Sequence, residues 1–274
     1  MSGALAFLAT LLVLWIGLPL LAPVYLLLCG IALYEYSAML RLRGITVRLR
    51  SLWVAAALTL PASLPASYLG MRPLGTDWRE ALLGLFIFYL VGTEVLRPNS
   101  NSFNSLVFTL FGYLYIPWLF SFVITLRYTP DGVLGLWYLT LPMLAVIGAD
   151  VGGFTFGTLF GRHKLAPHIS PKKTVEGAVG GMVLAIAGVV SIIVALETWQ
   201  GVHIDWIKGI VLGVLAAAAA QLGDLFESLF KRWAGVKDTG VFLPGQGGVL
   251  DRIDGILIAV PVAYLFVILV VLRN

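Results

Sequence analysis

Charged residues are scarce in this sequence. Asp, Glu, Lys and Arg make up 12% of its 274 residues, whereas apolar residues make up 59%. The mean hydropathy is +0.96. Soluble domains usually carry about 25% charged residues, and a water-soluble globule could not bury this much apolar surface. The composition therefore excludes a soluble globular protein and indicates a membrane protein.

Cysteine is almost absent as well. The one cysteine, Cys29, lies within an apolar run, so no internal disulfide can form and the cysteine content does not indicate a compartment. We interpret Cys29 as a small packing residue. The apolar runs are too long and unbroken for the short alternating strands of a transmembrane β-barrel. The class that remains is an all-α polytopic membrane protein.

The apolar runs predict about nine transmembrane helices. The first run, Leu5–Leu40, is too long for one span of about 20 residues, and Pro19 and Pro23 near its middle suggest a hairpin of two spans. The other seven are predicted at about Leu52–Leu69, Ala81–Leu96, Leu106–Leu126, a stretch ending near Phe160, Val175–Ala195, a stretch from Ile210, and Asp254–Leu272. We predict a single membrane domain over residues 1–274, with scaffold spans in 1–130 and catalytic spans and cytoplasmic loops in 131–274.

Basic residues lie mostly in alternate links between these spans. The links after the second, fourth, sixth and eighth spans hold Arg41, Arg43, Arg48, Arg50, Arg97, Arg162, Lys164, Lys172, Lys173, Lys231, Arg232, Lys237 and Arg252. The opposite side holds Arg72, Arg79, Arg127, Lys208 and Arg273. Positively charged links stay in the cytoplasm, so we expect a cytoplasmic N-terminus and an outer C-terminus. The compact chain suggests a bacterial inner membrane.

One polar stretch, Asp224–Asp254, differs from the apolar chain around it. Its ionisable groups are costly to bury in a membrane unless they are paired, hydrated or metal-bound. Four of its residues follow at i, i+3, i+4 and i+7 and share one helix face; they are Asp224, Glu227, Ser228 and Lys231. Asp251 and Asp254 form a second acidic pair at the start of the ninth span. The stretch therefore suggests a functional site.

The two acidic pairs would converge if the eighth and ninth spans pack antiparallel. Carboxylate oxygens suit a hard cation such as Mg²⁺, which is usually shared with phosphates. Two simpler interpretations stay open. The first pair could be a solvated helix end with a local salt bridge, and acids in general favour a helix N-terminus. The second explanation covers Asp251 and Asp254 but not the matching pair on the eighth span.

Glycines and basic side chains fill the segment between the acidic pairs. The run GVKDTGVFLPGQGGV predicts a loop, and its G-Q-G-G could expose backbone N–H groups to an anion. Glycine also simply permits turns. The nearby Lys231, Arg232 and Lys237 favour the interpretation as a phosphate site.

A second basic segment, HISPKKTVEG at His168–Gly177, precedes the seventh span. We expect Ser170 to cap that helix, with Pro171 at its first position. Lys172 and Lys173 would then lie at the helix N-terminus, where basic side chains oppose the helix dipole unless a polyanion binds there. Alternatively, the lysines only anchor the cytoplasmic end of the span.

Asp150 lies alone inside the predicted sixth span. An acid at this depth is by default a candidate for function, although a structural pairing would also explain it. Gly153, Gly157 and Gly161 recur every four residues, and we interpret them as positions of close helix packing.

These motifs resemble those of a known family. The run S-L-F-K-R-x4-K-D-x-G-x2-L-P-G-x-G-G-x-L-D-R-I-D, at Ser228–Asp254, is similar to the signature of the integral-membrane phosphatidate cytidylyltransferases, or CDP-diacylglycerol synthases. Ile169–Gly177 matches a second block of that family, and Asp150 resembles the aspartate that precedes it. The resemblance is strong from Asp150 to Tyr264, and the first half of the chain matches mainly in hydropathy.

The resemblance implies a reaction and the residues that take part in it. CTP and phosphatidate would give CDP-diacylglycerol and pyrophosphate, with Mg²⁺ or another divalent cation and a possible second metal. The metal would be held by Asp224, Asp251 and Asp254, which with Lys231 are the implied catalytic residues. The implied substrate-binding residues are Asp150, Ser170, Lys172, Lys173, Thr174, Glu227, Ser228, Arg232, Lys237, Asp238 and Gln246.

Gln246 departs from the family pattern, which usually has histidine there. Glutamine can exchange hydrogen bonds but cannot relay a proton near pH 7. The attacking group in the implied reaction is already an anionic phosphate, so a strong general base is not essential. Glutamine suffices if the histidine only positions a phosphate.

Other functions compete with this one. A transporter or channel would use intramembrane acids spread across the membrane depth, whereas these acids cluster at one face. A membrane transferase for another nucleotide or lipid phosphate stays open, because nothing in the sequence distinguishes cytosine from uracil. An inactive relative also stays open, because Gln246 replaces the family histidine. We expect no nucleic-acid partner, and the family resemblance suggests a homodimer.

Overall fold

The computed structural model describes residues 12–65, 78–96, 102–240 and 247–273. The helices are α1 (Leu18–Leu42), α2 (Leu49–Ala62), α3 (Trp78–Leu96), α4 (Ser102–Tyr113), α5 (Phe122–Arg127), α6 (Leu134–Phe160), α7 (Val175–Gln200), α8 (Trp206–Ala234) and α9 (Leu250–Phe266). Two π-helical turns, Leu114–Trp118 and Val267–Val271, follow α4 and α9. One small sheet pairs β1 (Lys164–Ala166) with β2 (Ser170–Thr174).

Among the described residues, six helical segments are long and apolar enough to cross a membrane. They are Leu18–Leu42, Phe103–Arg127, Leu134–Phe160, Val175–Gln200, Trp206–Ala234 and Leu250–Val271. The predicted all-α polytopic membrane fold is therefore confirmed. α2 has only 14 residues, short of the roughly 20 that a span needs, and α3 carries Arg79, Glu80 and Glu94. The count of nine spans stays a prediction.

Within the described part of the first apolar run, the helix is interrupted at a glycine and not at the prolines from which the hairpin was predicted. Residues 12–16 are helical, Gly17 follows with a φ of 78°, and α1 begins at the next residue. A positive φ suits glycine, whereas proline is tolerated in a first helical turn. Pro19 lies in that first turn, and α1 continues through Pro23. Residues 1–11, where the first span would begin, lie outside the described residues.

The chain forms two compact units, Met1–Leu136 with Thr239–Leu250, and Trp137–Asp238 with Asp251–Asn274. In the first unit, buried tyrosines of α1 tie this helix to the segment that contains α4. The hydroxyl of Tyr25 donates to the Pro117 carbonyl at 2.8 Å, and that of Tyr36 donates to the Phe108 carbonyl at 2.8 Å. Each bond satisfies the polar group of a buried tyrosine, and together they hold α1 against this segment.

In the second unit, glycines bring α6 and α7 into backbone contact. A Cβ atom added at Gly152 would lie 2.6 Å from the carbonyl oxygen of Gly180. One added at Gly177 would lie 2.7 Å from the carbonyl oxygen of Gly153 and 3.1 Å from the Cα of Gly157. The predicted close packing at Gly153 and Gly157 is therefore confirmed.

The segment between α6 and α7 is a β-hairpin, whereas the sequence predicted a basic loop. Lys164 pairs with Thr174 and Ala166 with Ser170 in antiparallel register. The prediction that Ser170 caps α7 with Pro171 at its first position is wrong, because both residues lie in β2.

Thr174 caps α7 instead of Ser170. Its backbone is extended, and its hydroxyl accepts a hydrogen bond from the Gly177 N–H at 3.1 Å, as an N-cap residue does. In addition, the Glu176 carboxylate accepts the backbone N–H of Arg162 at 3.1 Å. These bonds hold the hairpin to the helix start and fix where its lysines project.

Candidate functional site

Gly223 sets the closest approach of α8 and α9. A Cβ atom at this position would lie 2.4 Å from the carbonyl oxygen of Asp254, so a larger residue would force the two backbones apart. The contact places the next residue of α8, Asp224, beside the first turn of α9. The predicted convergence of the two acidic segments therefore occurs, and a glycine makes it possible.

Three aspartates from three helices form the first group, which we call the aspartate cluster. Asp150 of α6, Asp224 of α8 and Asp254 of α9 lie close enough to interact electrostatically with one another. Lys173 of β2 lies with its Nζ 2.6 Å from Oδ2 of Asp224. The carboxylates repel one another, so a cation placed among them is stabilised. The Lys173 ammonium is one such cation.

The second group, the Lys231 cluster, consists of Glu227, Lys231 and Asp251. The Nζ of Lys231 lies 2.5 Å from Oε2 of Glu227 and 2.5 Å from Oδ1 of Asp251. The side chain of Glu227 is 1% exposed, and those of Lys231 and Asp251 are 12% and 11% exposed. The local i, i+4 salt bridge considered from the sequence is present, but Asp251 joins it from the next helix.

A cavity of about 220 Å³ lies against the aspartate cluster. Its polar lining comes from three elements of the second unit: Asp150, Lys172, Lys173, Thr174, Gln221 and Asp224. The Lys173 ammonium is buried, and its contact with Asp224 is an ion pair that lacks the geometry of a hydrogen bond. It therefore keeps N–H donors for an oxyanion such as a phosphate.

The remaining predicted residues occupy varied positions. The Ser228 hydroxyl makes a long 3.5 Å contact with Oδ1 of Asp224. The Nε of Arg232 lies 3.4 Å from the Ile169 carbonyl in the hairpin, which is a weak bond. Lys237 and Asp238 are exposed beyond the end of α8. Gln246 lies outside the described residues.

The three predicted metal ligands do not form one group. Asp224 and Asp254 belong to the aspartate cluster, whereas Asp251 is bound by Lys231. Across the described ranges, no three His, Cys, Asp or Glu side chains are arranged to hold a metal ion. Even so, the two clusters hold five carboxylates and only two lysines, with Arg252 also interacting with Asp150. This excess of negative charge fits an added cation, and the metal role stays a prediction.

Gln221 is a cavity residue that the sequence reasoning missed. It lies on the same face of α8 as Asp224, one turn earlier, and its Nε2 donates to the Ala178 carbonyl of α7 at 3.1 Å. A signal was available, because it is a lone amide at the end of an alanine run and three residues before the aspartate.

Comparison with known sequences identifies a family. Residues 1–270 match the cytidylyltransferase family. The phosphatidate cytidylyltransferase of Staphylococcus saprophyticus is 36% identical over 181 residues, which cover 66% of this chain and 66% of that protein. The same-named protein of Mycobacterium leprae is 39% identical over 167 residues, covering 61% of this chain and 51% of its own length. For Staphylococcus aureus the values are 38% over 183 residues, with 66% of each chain covered.

The matches thus span between half and two thirds of these relatives. The family match, in contrast, extends over nearly the whole chain and includes every residue of both clusters. The chain belongs to the cytidylyltransferase family.

Proposed function

We propose that this protein is a phosphatidate cytidylyltransferase, which transfers CMP from CTP to phosphatidate and releases pyrophosphate. The observation that carries the proposal is the buried Lys173 ammonium beside Asp224 in a cavity of the membrane helices. An ammonium in this position suits a phosphate, and the adjoining aspartates suit a phosphate-bound cation. The relatives named phosphatidate cytidylyltransferase support the choice of nucleotide and lipid.

In the proposed reaction, an oxygen of the phosphatidate phosphate attacks the α-phosphorus of CTP. The new O–P bond forms as the bond from the α-phosphorus to the bridging oxygen of the β-phosphate breaks, and pyrophosphate leaves with that oxygen. No proton has to be removed from the nucleophile. The barrier then lies mainly in bringing anions together in line.

The basic side chains of the site are suited to lower that barrier. Lys173 would donate to a phosphate in the cavity, and Lys172 and Arg232 are exposed near it. Lys231 is held by two carboxylates, so we assign it the role of fixing Asp251 against α8. The roles of Ser170, Thr174, Lys237 and Asp238 stay predictions from the motif, as does that of Gln246.

We propose that a divalent cation, Mg²⁺ in the first instance, is bound together with the nucleotide. Mg²⁺ usually takes one or two protein carboxylates and completes its shell with phosphate oxygens and water, so a three-carboxylate site is not required. Asp224 and Asp254 would hold it, with Asp150 nearby. When bound, the cation would neutralise charge on the triphosphate.

The proposed setting is a bacterial inner membrane, with nine spans, a cytoplasmic N-terminus and the site facing the cytoplasm. The distribution of Lys and Arg among the links supports this orientation. A cytoplasmic site at membrane level also suits the two substrates, because CTP is soluble and phosphatidate stays in the leaflet. We further propose a homodimer, by analogy with the family.

The decisive assay uses the purified protein in detergent with radiolabelled CTP, phosphatidate and Mg²⁺. We expect labelled lipid and pyrophosphate in equal amounts, with neither formed when EDTA is present or when UTP replaces CTP. Absence of labelling in folded protein would contradict the proposal. Labelling with UTP would mean that the protein does not select CTP as its nucleotide substrate. Labelling that persists in EDTA would refute the proposed requirement for a divalent cation.

Asp224→Asn tests the site itself. We expect turnover to fall at least about 100-fold, because the change removes the charge that contacts Lys173 and would hold the cation. Asp205→Asn is the matched control on the same helix. Asp205 caps the N-terminus of α8 by accepting the Ile207 N–H at 2.8 Å, and asparagine caps equally well, so its turnover should be unchanged. Wild-type turnover of Asp224→Asn at saturating Mg²⁺ would refute the assignment.

A further inference from the structure

Glu35 is a buried carboxylate of the first unit to which the proposed mechanism assigns no role. It lies on α1 and is 5% exposed. Its Oε1 accepts the backbone N–H of Val249 at 2.9 Å, and its Oε2 accepts that of Leu250 at 2.9 Å. The Thr239 hydroxyl donates to the same Oε2 at 3.2 Å. Three hydrogen bonds from distant parts of the chain thus compensate one buried charge.

Two glycines make room for this carboxylate. A Cβ atom at Gly240 would lie 2.6 Å from Oε1 of Glu35, and one at Gly248 would lie 2.5 Å from it. Gly248 is the last glycine of the G-Q-G-G motif, so at this position the motif needs glycine for a reason other than phosphate binding. The N–H groups of Val249 and Leu250, directly after the motif, donate to the protein's own carboxylate. The predicted binding of a phosphate by the motif stays a prediction.

The bonds of Glu35 also define where α9 begins. Val249 precedes the helix and Leu250 is its first residue, so their N–H groups belong to the four that a helix N-terminus leaves without a partner inside the helix. Asp251 follows Leu250 directly, and Asp254 follows one turn later. The start of α9 is therefore fixed in position by a residue more than two hundred positions earlier in the chain.

We propose that Glu35 is a positioning residue of the cytidylyltransferase site. It accepts hydrogen bonds from Thr239 on one side and from Val249 and Leu250 on the other, and so sets the position of the start of α9, whose first two turns carry Asp251 and Asp254. This inference rests on the proposed function. A displacement of about 1 Å at a catalytic group can cost about 100-fold in rate, so the role has a kinetic consequence besides a structural one.

Glu35→Gln is the main test, because it keeps the shape of the side chain and replaces one accepting oxygen by a donor. The backbone N–H or hydroxyl facing that donor then loses its partner. We expect kcat per folded molecule, at saturating CTP and phosphatidate, to fall about 10- to 100-fold. Glu94→Gln is the matched control. Glu94 is another buried acid of the first unit, 7% exposed and paired with Arg48 at 2.8 Å.

A purely structural role predicts a different outcome. In that case both glutamine variants would unfold at lower temperature, and both would keep the wild-type kcat per folded molecule. That result for Glu35→Gln would overturn the proposal. A selective loss of kcat in Glu35→Gln, with Glu94→Gln unchanged, would support it.

Gly248→Ala tests the same contact if Glu35→Gln fails to fold. The added methyl group would press on Glu35, so we expect a similar loss of kcat. In the double variant Glu35→Gln/Gly248→Ala, the two losses should not add, because both act through one contact. Wild-type kcat in folded Gly248→Ala, or full additivity, would overturn the proposal.

Failure of the proposed function gives a separate result. If wild-type protein does not turn over CTP, hydrogen exchange of the Val249 and Leu250 amides still tests the positioning role. Faster exchange at these two amides in Glu35→Gln than in Glu94→Gln would support it, and equal protection would overturn it.

Discussion

Lys231 lies between two carboxylates that are almost fully shielded from solvent. Removing the cation of such a group leaves buried charge without compensation, at a cost of about 3–5 kcal/mol. Lys231→Met keeps an unbranched side chain of similar bulk and removes the ammonium group. We expect it to lower the thermal unfolding midpoint in detergent strongly, and to abolish turnover because Asp251 is no longer held.

Lys173→Met is the comparison for this prediction. Although the Lys173 ammonium is buried, the Asp224 side chain is 38% exposed. Water therefore reaches the carboxylate, and we expect the pair to contribute little to stability. We expect Lys173→Met to unfold near the wild-type temperature but to bind CTP poorly. Unfolding measured by intrinsic fluorescence separates the two variants, and equal midpoints would contradict the distinction.

At the scale of single residues, the sequence predicted the acids better than their partners. The i, i+3, i+7 spacing placed Asp224, Glu227 and Lys231 on one face, and the structure has them there. The contact between Lys173 and Asp224 was not predictable, because it depends on where β2 directs its lysines. Glu35 was missed because hydropathy alone described the first apolar run, although a lone acid in that run was a usable signal.

At the scale of elements, the cap of α7 gives a direct test of the hairpin. Thr174→Ala removes the bond to the Gly177 N–H, and we expect a loss of about 1 kcal/mol in stability. Ser170→Ala should leave the helix unaffected, because Ser170 lies in β2. Thermal unfolding of both variants decides between the observed cap and the one expected from the sequence. A larger loss in Ser170→Ala would contradict the observed arrangement.

The contact between α8 and α9 at Gly223 gives a second test. Gly223→Ala places a methyl group against the Asp254 carbonyl, so we expect the helices to separate and turnover to fall about 10- to 100-fold. Gly92→Ala, on α3, is the control, because a Cβ atom there has no neighbour within 4 Å. It should be neutral or slightly stabilising. Equal turnover of the two variants would show that the close approach is unnecessary.

The long apolar helices could be predicted from the sequence, whereas the short strands could not. The five helical segments of membrane length from Phe103 onward overlap predicted spans, because apolar runs of this length have few alternatives. The β-hairpin was missed because its strands have three and five residues. The Ser-Pro pair at its second strand also imitates a helix start. Its pairing depends on the bonds of Thr174 and Glu176, which link it to α7.

At the scale of the whole molecule, the sidedness of the membrane is the largest prediction that stays untested. α7 has 26 residues, about 39 Å at 1.5 Å per residue, which exceeds a hydrocarbon core of about 30 Å. Its two ends therefore lie on opposite sides if it crosses. Two exposed histidines mark those ends, His168 in the hairpin and His203 before α8.

Cysteine labelling of these positions determines the orientation. The native Cys29 is fully buried, so the wild-type protein should label only as background and serves as its own control. With a membrane-impermeant maleimide, His168→Cys should react in inside-out vesicles and His203→Cys in right-side-out vesicles. The reverse pattern would place the two clusters on the outer face, away from cytoplasmic CTP, and would contradict the proposed reaction together with the topology. Reaction of both positions from one side would mean that α7 does not cross the membrane.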